Sequence, residues 1–197
     1  MNQSNTHLNK MIKISLLGAI AVVLMFMEVP MLPAFPWLKM DLSELPVLMG
    51  AFAFGPVAGI TIEALKIVLH LLLKGTQTGF VGEIANFIVG VSLVVPAAYI
   101  YHSNKSKKTA IIGMIVGGIT MGIVAIIANV YFLLPAFGMV LNAEDTLKYV
   151  TAGLLPFNGI KAVLVSVVTF AVYKKVSVAI FKVDSGFDRK KELSKEM

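Results

Sequence analysis

Pro156-Phe157-Asn158-Gly159-Ile160-Lys161-Ala162 opens an apolar run that continues Val163-Leu164-Val165-Ser166-Val167-Val168-Thr169-Phe170-Ala171-Val172. The run has the length and composition of a helix that crosses a bilayer. An asparagine and a lysine inside such a segment each cost a few kcal/mol unless they face a partner or a cavity, so an intramembrane lysine marks a functional site by default. Asn158 and Lys161 are three residues apart and share one helical face. The rest of the chain is read as building a pocket around that face.

The composition supports this reading. The 197 residues are 57% hydrophobic and 14% charged, and mean hydropathy is +0.85, against an apolar share of about half in ordinary globular domains. At roughly 20 residues per spanning helix, the length accommodates six short-looped helices and no sizeable soluble domain. The absence of cysteine excludes a disulfide framework, a thiol nucleophile and a cysteine metal site. The net charge of +6 belongs to the loops and does not indicate nucleic-acid binding. The polar N-terminus leads into an apolar run without a small-x-small cleavage site, so it is read as the first helix and not as a signal peptide.

The six apolar segments fall at about residues 10–28, 42–54, 56–73, 79–101, 109–135 and 147–176, with Pro156 a candidate for the first turn of the last helix. Residues 1–183 form the expected membrane domain, and residues 184–197 a polar cytoplasmic tail. With the N-terminus in the cytoplasm, 12 of the 17 basic residues lie inside, against Lys39, Lys74 and Lys148 outside. That bias orients six spans with both ends cytoplasmic. Asp41, Glu44, Glu144 and Asp145 are then charges of the outer loops. Between the first two segments, Pro30-Met31-Leu32-Pro33-Ala34-Phe35-Pro36-Trp37-Leu38-Lys39-Met40 contains three prolines that forbid a continuous helix. An external loop this apolar is expected to fold back over the bundle as a lid.

Depth brings the intramembrane polar residues together. Counting at 1.5 Å per residue, Glu83 lies roughly 6 Å below Gly79 and Asn129 roughly 9 Å below Pro135. Glu83, Asn86, Asn129, Asn158 and Lys161 therefore converge in the outer half, beneath the apolar loop. This describes a site for a small molecule that is partly polar and partly flat. A second set, Glu63, Lys66 and His70, shares one face of the third segment. It is read as an internal ion pair with a packed histidine, since no second His or Cys completes a metal site.

The small residues Ser15, Gly18, Ala19 and Ala21 of the first segment permit close helix approach, either within the bundle or against a second membrane protein. Gly117-Gly118 and Gly122 carry the same two readings. No nucleotide-binding G-x-x-x-x-G-K-[ST] loop, G-x-S-x-G or H-E-x-x-H occurs, and the apolar segments hold no aspartate. An intramembrane enzyme acting on a lipid-like substrate lacks its nucleophile and base. A passive channel lacks a polar stripe through the full depth of any helix. The residues by themselves leave the ligand at a small amphipathic molecule.

The short spans, the proline-rich apolar loop, the small-residue first helix and the Pro156–Lys161 motif together resemble the riboflavin-binding S components of energy-coupling factor (ECF) transporters. The resemblance covers essentially the whole membrane region. It implies a multi-pass protein of the cell membrane, without enzymatic chemistry or a cofactor, whose transported ligand is riboflavin. It implies partners as well: a transmembrane coupling subunit and two ATPase subunits. By the same resemblance Asn158, Lys161, Glu83 and Asn129 hold the ligand's polar edges. The flavin ring lies against Trp37, Leu38 and Met40 of the loop. A vitamin such as thiamine is the alternative ligand within the family. The family's first-helix docking motif is Ala-x-x-x-Ala. Ser15-x-x-x-Ala19 is its nearest match here, and Ala19-x-x-x-Val23 departs from it.

Overall fold

The protein is described from a computed structural model that covers residues 3–76 and 78–176; the expected tail at 184–197 lies outside the described residues. Helix α1 spans Gln3–Phe26, α2 Glu44–Phe54, α3 Pro56–Lys74 and α4 Val81–Ser103. Helix α5 runs Lys107–Ala128 and passes through a π-helical turn, Asn129–Leu133, into Leu134–Ala136. Helix α6 begins at Ala143–Lys148, passes through a π-helical stretch, Tyr149–Leu154, and continues as Leu155–Val176.

Local chemistry explains the helix ends. Ser106 and Thr109 form a reciprocal capping box at the start of α5, which satisfies donors that have no intrahelical partner. The Asn142 side chain accepts from the Asp145 N–H at 2.8 Å and caps α6. Gly55 adopts φ 102°, a conformation open to glycine, so the chain reverses between α2 and α3, with Pro56 in the first turn of α3. Pro156 does not open the last helix, as the sequence allowed. The Asn142 cap sets the start at Ala143, and Pro156 follows the π-helical stretch inside α6.

Among the described residues, five helices are long and apolar enough to cross a bilayer. The second expected span is an eleven-residue helix, Glu44–Phe54, only about 16 Å long. Its N-terminal end is inside the bundle: Ser43 and Glu44 are 0% and 1% exposed. Its other end reaches the aromatic group of Phe52, Tyr101 and Tyr173, with ring centroids 4.6–5.9 Å apart. Asp41 and Glu44 are therefore buried charges, not outer-loop charges, because the loop feeds α2 from within the bundle.

Helices α4 and α5 pack backbone to backbone. A side chain at Gly113 or Gly117 would run into the Ala97 or Leu93 carbonyl of α4, the close approach that small residues permit in lipid. Gly117 thus packs within the bundle, Gly118 faces Ala162, and Gly122 meets open space. On α5 the outward residues Ile115, Ile119, Ile123 and Ile127 are all exposed, an apolar stripe at four-residue spacing that faces away from the core. On α1 the small-residue set divides: Gly18 and Ala21 are buried, with Gly18 against Leu65 of α3, whereas Ser15 and Ala19 lie on the outer face.

The proline-rich loop folds back over one end of the bundle. It is pinned at its base by a short antiparallel pairing, Val29 with Met40 and Pro30 with Lys39. Leu38 and Met40 are buried in a cluster with Leu134, Tyr149, Leu154 and Phe157.

Candidate functional site

A cavity of about 360 Å³ lies beneath that loop, within the range of small-molecule sites. The loop supplies Trp37, Leu38 and Asp41; α4 supplies Glu83 and Asn86; α5 supplies Asn129; α6 supplies Tyr149, Phe157, Asn158 and Lys161. Seven of the eight residues expected at the ligand line this one cavity. The exception is Met40, which turns instead into the neighbouring apolar cluster. Met40 pairs with Val29 at the base of the loop, and its side chain is packed among Leu134, Tyr149 and Phe157.

Much of the polar wall is already engaged. The Asn158 Nδ2 donates to its own helix at the Leu154 carbonyl, 2.8 Å. The Asn129 Nδ2 donates to the Ala125 carbonyl at 2.8 Å, and its Oδ1 accepts from the Tyr149 hydroxyl at 2.9 Å. Glu83 accepts from the Thr78 hydroxyl at 2.6 Å.

Asp41 and Lys161 of the lining belong to an ionic cluster that the sequence revealed only in fragments. Lys66 Nζ lies 2.6 Å from Glu63 Oε1 and 2.9 Å from Glu44 Oε1. Lys161 Nζ lies 3.4 Å from Asp41 Oδ2 and 3.7 Å from Glu44 Oε1. All five side chains are buried. Gly90 of α4 makes room for the Glu63 and Glu44 carboxylates, which a larger residue would strike. Opposite charges grouped in this way offset part of each other's desolvation. The Asp41 carboxylate is held by the Lys161 ammonium at 3.4 Å and by the Ser43 N–H, which donates to it at 2.7 Å.

The expected Glu63–Lys66 pair is present, and Glu44 joins it from α2. His70 is buried beside the Phe26 ring, with centroids 5.2 Å apart, and no metal-holding group of His, Cys, Asp or Glu occurs among the described residues. At the mouth, Glu28 receives both Lys39, at 2.9 Å, and Lys74, at 2.7 Å. Burial raises the Glu28 carboxyl, and the hydrogen bonds from Lys74 and Lys39 more than reverse this, so it stays below the usual range.

Among the wall residues that sequence reasoning missed are Asp41 and Tyr149. Asp41 had one available signal: of the intramembrane acids, Glu63 shares a helical face with Lys66 and Glu83 lies in the first turns of its own helix, which leaves Asp41 and Glu44, at the start of the second segment, as candidate partners for Lys161. Tyr149 had none, because it lies beside the charged turn Glu144-Asp145 and reads as an edge residue.

Residues 9–173 match the model of the family described as "ECF transporter, substrate-specific component". The chain is 40% identical over 174 residues to the riboflavin transporter RibU of Staphylococcus aureus (strain TCH60), spanning 85% of this chain and 90% of that protein. It is 36% identical over 174 residues to the riboflavin transporter FmnP of Bacillus subtilis (strain 168), spanning 85% and 91%. A solved structure described as "Structure and mechanism of the S component of a bacterial ECF transporter" superposes with a TM-score of 0.76 at 38% identity, covering 89% of this chain and 97% of that one.

Proposed function

The chain belongs to the substrate-specific components of ECF transporters, and from that premise we propose that its cavity captures riboflavin for uptake. The protein is a multi-pass membrane transport subunit, not an enzyme, and riboflavin is its cargo, not a cofactor. The observation that carries the site is the convergence of Glu83, Asn86, Asn129, Asn158 and Lys161 on one cavity roofed by Trp37 and Leu38.

The chemistry suits a flavin. Its carbonyl and ring-nitrogen acceptors match the Lys161 ammonium and asparagine amides, and its ribityl hydroxyls match Glu83 and the asparagine carbonyls. The ring lies against Trp37, Leu38 and Phe157. Lys161 is the principal donor, since its two carboxylate neighbours are at 3.4 and 3.7 Å, long for charge-assisted hydrogen bonds. The proline-rich loop closes over the bound ring and occludes it from water.

The finer topology belongs to the same reading. Residues 1–183 form one membrane domain in which α2, with the buried end of the loop, serves as the sixth crossing. The excess of lysine and arginine inside places both termini in the cytoplasm, with residues 184–197 as a cytoplasmic tail. Inward delivery uses a transmembrane coupling subunit and two ATPase subunits, consistent with the absence of a nucleotide-binding loop here.

The deciding experiment is an absorbance spectrum of the detergent-purified protein, with a riboflavin fluorescence titration. Flavin bands near one ligand per chain, or stoichiometric quenching of added riboflavin, are expected. A colourless protein that leaves riboflavin fluorescence unquenched would remove riboflavin and turn the test to other vitamins.

A further inference from the structure

Three side chains from three elements form one directed hydrogen-bond chain at the roof of the cavity. The Trp37 indole N–H donates to the Tyr149 hydroxyl at 3.2 Å, the Tyr149 hydroxyl donates to Asn129 Oδ1 at 2.9 Å, and Asn129 Nδ2 donates to the Ala125 carbonyl at 2.8 Å. The direction is dictated by chemistry. An indole nitrogen can only donate, so the tyrosine oxygen accepts there, and its single proton is free for Asn129. Serial bonds of this kind polarise one another.

The chain has a firm base. Asn129 and Tyr149 are the first residues of the two π-helical segments, where an extra residue turns side chains off the regular α-helical register. Tyr149 is 2% exposed, whereas Trp37 is 45% exposed. The rings of Phe35, Trp37 and Tyr149 lie 5.2–6.1 Å apart. Gly153 keeps room for them, since a side chain there would touch the Phe35 ring at 3.0 Å.

We propose that Tyr149 is a positioning residue: anchored by Asn129, its hydroxyl holds Trp37 of the proline-rich loop over the cavity and thereby sets how long the ligand stays bound. The inference rests on the riboflavin reading above. It assigns ligand retention to a group whose hydroxyl is committed to Trp37 and Asn129. Lys39 on Glu28, Asp41 on Lys161, the pairing of Lys39 and Met40 with Pro30 and Val29, and the burial of Leu38 and Met40 hold the rest of the loop, while Trp37 is the hydrogen-bonded residue over the cavity.

The test compares wild type with Tyr149→Phe, which keeps the ring and removes only the hydroxyl, and with Trp37→Phe, which removes the indole N–H together with part of the ring that faces the ligand. Release of radiolabelled riboflavin is followed after a chase with excess unlabelled riboflavin. Loss of one neutral hydrogen bond should speed release about two- to tenfold, with the association rate unchanged. Trp37→Phe, which also loses ligand contact, should release at least as fast as Tyr149→Phe, and the double variant no faster than Trp37→Phe. Trp37 is the only tryptophan, so its emission reports the loop directly: in ligand-free Tyr149→Phe it should shift to the red and become more accessible to acrylamide. Wild-type release from Tyr149→Phe, or a double variant whose acceleration is the product of the two singles, would overturn the proposal. If Tyr149→Phe does not fold, Trp37→Phe alone decides, and wild-type release from it refutes the tether. If wild type retains no riboflavin, the riboflavin reading fails, and unchanged Trp37 emission in ligand-free Tyr149→Phe then separately refutes the tether.

Discussion

Lys66 and Lys161 are both buried lysines, yet their surroundings assign them different work. Lys66 is held at 2.6 and 2.9 Å by two carboxylates and is 0% exposed. Replacing it with methionine would leave Glu44 and Glu63 buried without that cation, a change that destabilises by about 3–5 kcal/mol when one partner of a buried pair is removed. Lys66→Met should therefore lower the thermal unfolding midpoint sharply, measured in detergent, whether or not ligand is present. Lys161 has looser partners and stands in the cavity wall. Lys161→Ala should purify folded, because Asp41 keeps its 2.7 Å bond from the Ser43 N–H. Its riboflavin affinity should fall at least tenfold, about 1.4 kcal/mol or more. Unchanged affinity in the folded variant would remove Lys161 from the site.

At the scale of elements, the site depends on how closely α4 and α5 approach, since α4 carries Glu83 and Asn86 and α5 carries Asn129. Gly117 abuts the Leu93 carbonyl, and the backbone there cannot yield as a flexible side chain would. Gly117→Val should force the helices apart, with an overpacking penalty of about 1–3 kcal/mol, and should weaken riboflavin binding in titration. Gly122→Val is the internal control. It meets no neighbour within 4 Å, so stability and affinity should both hold. Equal loss in the two variants would show that bulk on α5, not the α4 contact, is responsible. The π-helical segments belong to this scale too. They aim Asn129 and Tyr149 at each other across α5 and α6, a meeting that hydropathy cannot register because both helices remain apolar through it.

For the whole molecule, the division of α1 bears on the proposed docking of a coupling subunit. Gly18 and Ala21 are committed to the bundle, while Ser15 and Ala19 look outward. Ala19→Phe should leave riboflavin binding by the purified chain intact and reduce uptake by the complete transporter in cells at least fivefold, the loss of about 1 kcal/mol of helix packing. A matching loss of binding would place that face inside the bundle's own packing.

The membrane class, five of the six expected spanning helices and the convergence of Glu83, Asn86, Asn129, Asn158 and Lys161 were legible in the residues. In lipid each spanning segment must satisfy its own backbone, so length, hydropathy and depth are local properties of the chain. The burial of Asp41 and Glu44, the turning of Met40 away from the cavity and the Trp37–Tyr149–Asn129 chain were decided by tertiary structure alone. Asp41 meets Lys161 across 120 positions of sequence, and Trp37 meets Tyr149 across 112. A charge or a hydroxyl is visible in the sequence, but whether it faces water, lipid or a partner depends on which distant helix is packed beside it.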